Sequence, residues 1–437
     1  MATHLIAGVG RDHITPPVGV DLCGFGGRKG PSTGVHDDLR ACALYLSDGS
    51  RELAIITADL VGLHHGEVAE IRAAIQRQAG MPPQAVMIAC SHTHGGPATK
   101  CLNYLGQHDE AYLAGLKRRL AGLAVSAKGS AQPAQAGAHR QQPVSVGINR
   151  RAVRDGRMVL GENLAGPTAP YADILCVDDL DGKPMARLFC HASHAVTLGG
   201  DNRLITGDWP GYAQRETERL TGGNAMFMQG CCGNINSHPR GDFDIAAQQG
   251  RILAEAVTQA SEAASRRTDP VLRAASSPVE LPLMPPPPLD EAEALYRRMQ
   301  AEAEKAQETG SYGAKRMQAG VARWAAGILE LAKAPPQERT VPFEVQALRV
   351  GDMAIVGLPG EVFVEYALNI DAESPFRITA VSAYTNGNIG YVPTAQAYEE
   401  GGYEVDNAIR YYGATMQKPE SERIILNAAA DVLAEIA

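Results

Sequence analysis

No stretch of the 437-residue chain approaches ~18 uninterrupted apolar residues, so no segment has the length and hydropathy of a membrane-spanning helix. The opening residues, Met-Ala-Thr-His-Leu-Ile-Ala-Gly-Val-Gly, lack the charged start and long apolar core of a secretory leader. A reducing, cytoplasmic setting is therefore expected. Positive charge is also short: 40 Lys and Arg stand against 49 Asp and Glu, a net charge of -9. That excludes the broad basic face with which proteins hold nucleic acid or an anionic membrane. The eight cysteines contain no Cys-x-x-Cys pair, which removes zinc-finger and thioredoxin readings. Cys90 and Cys190 sit inside apolar runs and read as small core hydrophobes, and the adjacent Cys231 and Cys232 as buried thiols. The glycine-rich segment 24–30 lacks the Gly-Lys-Ser/Thr ending of a phosphate loop. Gly8-x-Gly10 runs into Asp12-His13-Ile14-Thr15-Pro16-Pro17 rather than a helix, so it is no dinucleotide fingerprint.

What is present is a 45% apolar composition, enough for a full core, arranged as alternating strands and helices. Apolar runs 41–46 and 53–57, 174–177 and 185–190, and 345–350 and 353–356 flank Asp-Gly or Gly-Asp turns and predict three hairpins. Further strands are expected at 85–90, 225–228 and 378–384. Apolar residues recur at helical spacing over 67–78, 112–127, 242–265 and 421–436. After the proline run 285–288, segments 290–308 and 312–333 read as a helical hairpin, an insertion or lid over about 286–335. The class is α/β, with mixed sheets flanked by helices, expected as one domain over 1–437.

The candidate ligands all follow predicted strands. His92 and His94 follow 85–90, His194 follows 185–190, Glu361 follows 353–358, and Tyr391 follows 378–384. The loop 229–236 leaves the strand 225–228. Ligand sites in open α/β sheets lie beyond the carboxyl ends of strands, so these groups are placed to share one crevice. Two histidines, a carboxylate and a phenol there suit a single metal ion with an open position. His36, Asp37 and Asp59 read as a turn and a strand-end cap, with a second metal site as the alternative. His64-His65 reads as surface, and His191 as a core or supporting histidine.

Ser91-His92-Thr93-His94-Gly95-Gly96-Pro97 resembles the Thr/Ser-His-Thr-His-Ser-Gly-Pro motif of neutral ceramidases. Ile148-Asn149-Arg150-Arg151, His194-Ala195-Val196-Thr197-Leu198-Gly199 and Leu204-Ile205-Thr206-Gly207-Asp208-Trp209-Pro210-Gly211 are similar to further segments of that family. So are Gln229-Gly230-Cys231-Cys232-Gly233-Asn234-Ile235-Asn236, Leu358-Pro359-Gly360-Glu361, and Tyr391-Val392-Pro393-Thr394 with Tyr398-Glu399 and Tyr403-Glu404. The resemblance, in the family's order from about residue 6 to 415, implies a soluble bacterial-type catalytic domain. It implies that His92, His194, Glu361 and Tyr391 bind Zn2+, while His94, Arg150 and Tyr403 line the reacting carbonyl. His94 would move a proton, and Arg150 and Tyr403 would stabilise the oxyanion.

Two departures shape the expected activity. Asn236 stands where the family has a serine and Asn234 where it has an aspartate, which weakens a serine-nucleophile route and leaves a water route intact. The family's C-terminal β-sandwich and its secretory or membrane context are expected to be absent. The expectation is hydrolysis of an amide bond in a soluble small molecule, with no nucleic-acid or membrane partner and a homo-oligomer left open. The rivals are a zinc-dependent lyase or isomerase, an ester or lactone hydrolase acting on a polyhydroxy or cyclic compound, and a binding protein on a degenerate site.

Overall fold

The computed structural model describes residues 4–99, 102–103, 105–413 and 415–437. Strands such as Glu52–Ala58, Val86–Cys90, Met353–Gly357 and Ile378–Ser382 are apolar on both faces because they are covered on both faces. An eight-stranded sheet runs in the order Asn224–Gln229, Pro184–His191, Ala172–Asp179, Gln132–Gln141, Ile6–His13, Arg40–Ser47, Glu52–Ala58, Val86–Cys90. A four-stranded sheet follows the order Leu272–Pro282, Thr340–Val350, Met353–Gly357, Ile378–Ser382. Along Glu52–Ala58, Ala54, Ile56 and Ala58 pack with Ile71, Leu116 and Leu120 of the helices, whereas Leu53 and Ile55 meet Leu348, Ile355 and Ile378 of the second sheet. Likewise Phe189 and Phe227 pack against Trp209 and Val257, while Leu188, Met226 and Met228 face the second sheet.

The outcome is a mixed α/β fold of four layers. Helices His65–Ala79, Glu110–Gly129, Asp208–Thr221 and Phe243–Ala263 cover the large sheet, and Val364–Glu373 and Ser421–Ile436 cover the small one. The three expected hairpins are antiparallel pairs, and the helical hairpin is formed by Leu289–Thr309 and Tyr312–Lys333. Among the described residues, no helix is long and apolar enough to cross a membrane. All seven described cysteines are free and buried, and Cys101 lies outside the described residues.

Some elements carried little sequence signal. Gln132–Gln141 is a strand despite its Gln, Pro, Gly and Arg content, because only Ala134, Ala136 and Ala138 face the core. Asp208–Thr221 has Pro210 and Gly211 in its first turn, where a helix tolerates proline because those N–H groups lack intrahelical partners. His64 is not idle surface. It caps the helix His65–Ala79, accepting from Gly66 N at 3.2 Å, while Glu67 accepts from His64 N at 3.0 Å.

Three parallel pairs aim their carboxyl ends at one place: Glu52–Ala58 with Val86–Cys90, Pro184–His191 with Asn224–Gln229, and Met353–Gly357 with Ile378–Ser382. The two sheets are stitched together there. Cys90 N donates to Tyr384 O at 3.2 Å, and Ala383 N to Gln229 O at 3.0 Å. Emptying the inter-sheet core should be costly. Leu348→Ala, at a fully buried position, is expected to lose about 2–5 kcal/mol in denaturant unfolding. Leu164→Ala, at a side chain 90% exposed, should stay within about 0.5 kcal/mol of the parent.

Candidate metal centre

The fully buried Gln229 side chain holds the two histidine loops together. Its amide donates to Ser91 O at 3.1 Å and its oxygen accepts from Ser193 N at 3.3 Å. Beyond Ser91 the backbone turns left-handed at His92 (φ 58°), and on the facing loop it does so at Tyr384 (φ 50°). Both are sparsely populated conformations for side chains of this size, and both occur beside the cavity. They stack the two rings at 3.9 Å and aim the imidazole inward. Glu361 and Tyr391 lie directly opposite one another in a short parallel pair, Glu361–Val362 with Tyr391–Val392.

Four nucleophilic atoms converge. His92 Nε2 is 3.2 Å from His94 Nε2 and 3.5 Å from Glu361 Oε2, and His194 Nε2 is 3.2 Å from the same carboxylate oxygen. Ligand atoms of His92, His94 and His194 all lie within 4.8 Å of one another. His92 Nδ1 donates to Val61 O at 2.6 Å, and His194 Nδ1 donates to the carbonyls of Cys232 and Ile235 at 2.6 and 3.0 Å. Those bonds fix the tautomer, so each Nε2 presents a lone pair to a carboxylate. Lone pairs this close repel unless a cation or shared proton lies among them, and a buried group of this composition fits a metal ion.

Burial sets the protonation of the group. It pushes His92 down to about 4, and lowers His94 and His194 as well. Burial alone would raise Glu361, but His92, His194 and the Tyr412 hydroxyl together hold its carboxyl down to about 2. Tyr412 donates to Glu361 Oε1, and Tyr384 donates to Oε2 at 3.4 Å.

The other wall is cationic and phenolic. Arg150 donates through Nε to Glu404 at 2.8 Å, to Asn236 Oδ1 at 3.1 Å and to the Tyr391 hydroxyl at 2.9 Å. Its guanidinium carbon lies 5.9 Å from the Tyr403 ring centre. Glu404 also accepts from Arg151 at 3.0 Å, so one buried carboxylate serves two arginines. Desolvation raises Tyr391 well above the ordinary phenol range despite Arg150, so in the metal-free protein it stands as a neutral phenol.

All eight residues singled out in the sequence, His92, His94, Arg150, His194, Asn236, Glu361, Tyr391 and Tyr403, line one cavity of about 260 Å³. Asn234 instead binds Glu365 at 2.8 Å and Val364 N at 2.9 Å, locking the helix Val364–Glu373 to the loop. His36 stacks on Phe243 and bonds the Tyr212 hydroxyl at 2.7 Å, Asp37 is paired with Arg215 at 2.6 Å, and Asp59 caps Arg40 N at 3.0 Å. Each of the three is thus bonded to protein groups outside the cavity. Sequence reasoning gave no role to Tyr412, Tyr384 or Arg240. Only the adjacent Tyr411-Tyr412 pair, so soon after Tyr403, offered a signal.

Two curated relatives match in sequence. The neutral ceramidases of Drosophila pseudoobscura pseudoobscura and Drosophila melanogaster are each 27% identical over 237 residues, 51% of this chain. The match spans only 33% of those proteins' length. Two solved structures cover 99% of the chain: neutral ceramidase from Pseudomonas aeruginosa (TM-score 0.72, 18% identical, 74% of that chain covered) and a ceramidase complexed with C2 (0.75, 17%, 75%). The chain has the neutral-ceramidase fold, and its sequence resembles that family. No family model matches it. On the ceramidase fold the buried histidines and Glu361 occupy the junction of the two sheets.

Acid should destabilise this junction selectively. His92 binds its proton near 6.5 when unfolded and only near 4 when folded, so its contribution is complete above about pH 6.5 and is lost as pH falls toward 4. Metal-free protein should therefore melt progressively lower from pH 7 to 4.5. An unchanged melting temperature across that range would contradict the neutral-imidazole assignment.

Proposed function

We propose that the chain is a zinc-dependent hydrolase that cleaves a C–N amide bond in a small soluble substrate. The observation that carries this reading is one small cavity with three imidazoles and a carboxylate at one side and Arg150 with two phenols at the other. Zinc, when bound, supplies Lewis-acid polarisation of a carbonyl and lowers the pKa of water. The proposed ligands are His92, His194, Glu361 and Tyr391. Anchoring separates these histidines from His94: Nδ1 of His92 and of His194 is tied to carbonyls, whereas His94 Nδ1 is buried with no hydrogen-bond partner among the described residues. A tethered ring suits a ligand, and an untethered ring suits proton transfer to the leaving nitrogen.

Arg150 spends three of its five N–H donors on Glu404, Asn236 and Tyr391. In this reading the remaining donors and the Tyr403 hydroxyl stabilise charge that develops on the carbonyl oxygen. Asn236 steadies Arg150 rather than attacking, since an amide is no nucleophile. The excess of acidic residues supports a small-molecule substrate over nucleic acid.

The reading is tested by metal content and turnover together. His194→Ala should lose zinc, and full retention would refute the ligand set. Tyr391→Phe should weaken zinc binding, whereas Tyr403→Phe should keep zinc and lose roughly 10²–10³ in kcat. Turnover in 18O-labelled water should place label in the acid product, since hydrolysis requires it and a lyase or isomerase does not.

A further inference from the structure

A second cavity of about 690 Å³ lies between the helix Tyr312–Lys333 and the loop carrying Gln107 and His108. Its volume falls within the ~300–1,000 Å³ range of ligand pockets. Lys315, Arg316 and Arg323 line it together with Tyr312, and no carboxylate is among its described lining residues. In a chain of net charge -9 that is a local reversal of sign, which concentrates anions. Asp21 pairs with Arg316 and accepts from the Tyr312 hydroxyl at 3.0 Å. Asp21 lines the narrow seam beside the cavity rather than the cavity itself.

That seam lies between the cavity and the candidate metal centre. It shares Gly106, Tyr312 and Arg316 with the cationic cavity, and Phe25, Gly26 and Leu105 with the catalytic one. The packing across it is tight. A Cβ on Gly313 would meet Gly26 O and Arg28 O at 2.7 Å, and one on Gly26 would meet Met317 Sδ at 2.9 Å. Phe25 in turn lies edge-on to His94 at 4.8 Å, and Arg28 donates to His94 O at 2.7 Å. At about 260 Å³ the cavity holding the candidate metal centre is below that pocket range, and the cationic cavity beyond the seam is the larger space beside it.

We infer that the cavity lined by Lys315, Arg316 and Arg323 is an anion-binding subsite, built to take a carboxylate or phosphate group. Where that group belongs to the substrate, the inference rests on the hydrolase reading above. Where it is a free anion, it acts on His94 through the seam. Arginine and lysine donors give charge-assisted hydrogen bonds to either chemistry. Lys315 is partly exposed and Arg323 exposed, so both can be replaced without emptying the core.

The test begins with binding and needs no known substrate. Inorganic phosphate is titrated calorimetrically into the zinc-loaded protein, the Lys315→Ala/Arg323→Ala double variant, Lys315→Arg and His194→Ala. Expected are saturable binding to the parent, at least about tenfold weaker binding to the double variant, and near-parental binding to Lys315→Arg. His194→Ala should bind phosphate as the parent does. Equal binding by parent and double variant, no binding by either, or loss confined to His194→Ala would overturn the inference. A second arm separates the sources by comparing an N-acyl amino acid with its uncharged amide. Phosphate that raises KM for the acid alone marks a substrate-anion subsite, and phosphate that changes kcat for both marks a free-anion site. Either result upholds an anion site. Absence of turnover with intact phosphate binding would fault the hydrolase reading and leave the subsite standing.

Discussion

A carboxylate buried to 3% exposure cannot stand alone, and the centre of this protein is organised around that constraint at Glu361. Its charge is desolvated, so each neighbour is a group that tolerates or requires a negative charge. Two hydroxyls, from Tyr412 and Tyr384, donate to it, two imidazoles face it, and Arg150 is held nearby with its own counter-charge in Glu404. The imidazoles cannot settle the balance by themselves. Burial keeps them neutral, and their Nδ1 protons are committed to carbonyls. A cation is the species that satisfies all of these groups at once, which is why the metal reading follows from electrostatics as well as from resemblance.

The fold supplies that arrangement by ending six strands of two sheets at a common edge. Gln229 is the clearest example of how it is held. One buried amide ties the loop before His92 to the loop before His194, and its own backbone carbonyl receives Ala383 from the opposite sheet. The left-handed residues His92 and Tyr384 sit on either side of this clamp. Strained backbone of this kind survives where the surroundings over-determine it, and here it sets the stacking that aims His92. The helical hairpin is joined to the same region through Gly26, Gly313 and Met317, so the wall of the cationic cavity and the rim of the metal centre are one packed unit.

Much of the architecture was legible because covered strands and amphipathic helices leave strong periodic signals. The three hairpins, the long helices and the helical hairpin were read from turn residues and spacing alone. The strand Gln132–Gln141 and the helix Asp208–Thr221 were not, because alternating alanines and a first-turn proline resemble loop composition. At the site, the eight cavity residues were named from motifs, yet motif order says nothing of contact. Tyr412 and Tyr384 went without a role because their function is to meet Glu361, a residue far away in sequence. His36, Asp37 and Asp59 carried metal-like chemistry in sequence, and in space they bond Tyr212, Arg215 and Arg40 N outside the cavity.

The sequence by itself determined which groups were available. It set enough apolar residues for a full core, an acidic balance, strand ends followed by histidines and a glutamate, and asparagines at positions 234 and 236 in place of the acid and hydroxyl of the resembled family. Only the tertiary structure decided how those groups divide the work. It tethered the rings of His92 and His194 while leaving His94 Nδ1 without a partner among the described residues, turned Asn234 away to Glu365, and left Asn236 facing Arg150. It also placed three cations from one helix near the cavity of the candidate metal centre. Composition and spacing fix donors and periodicities along the chain. Distance, burial and tautomer exist only once separate strands have been brought together.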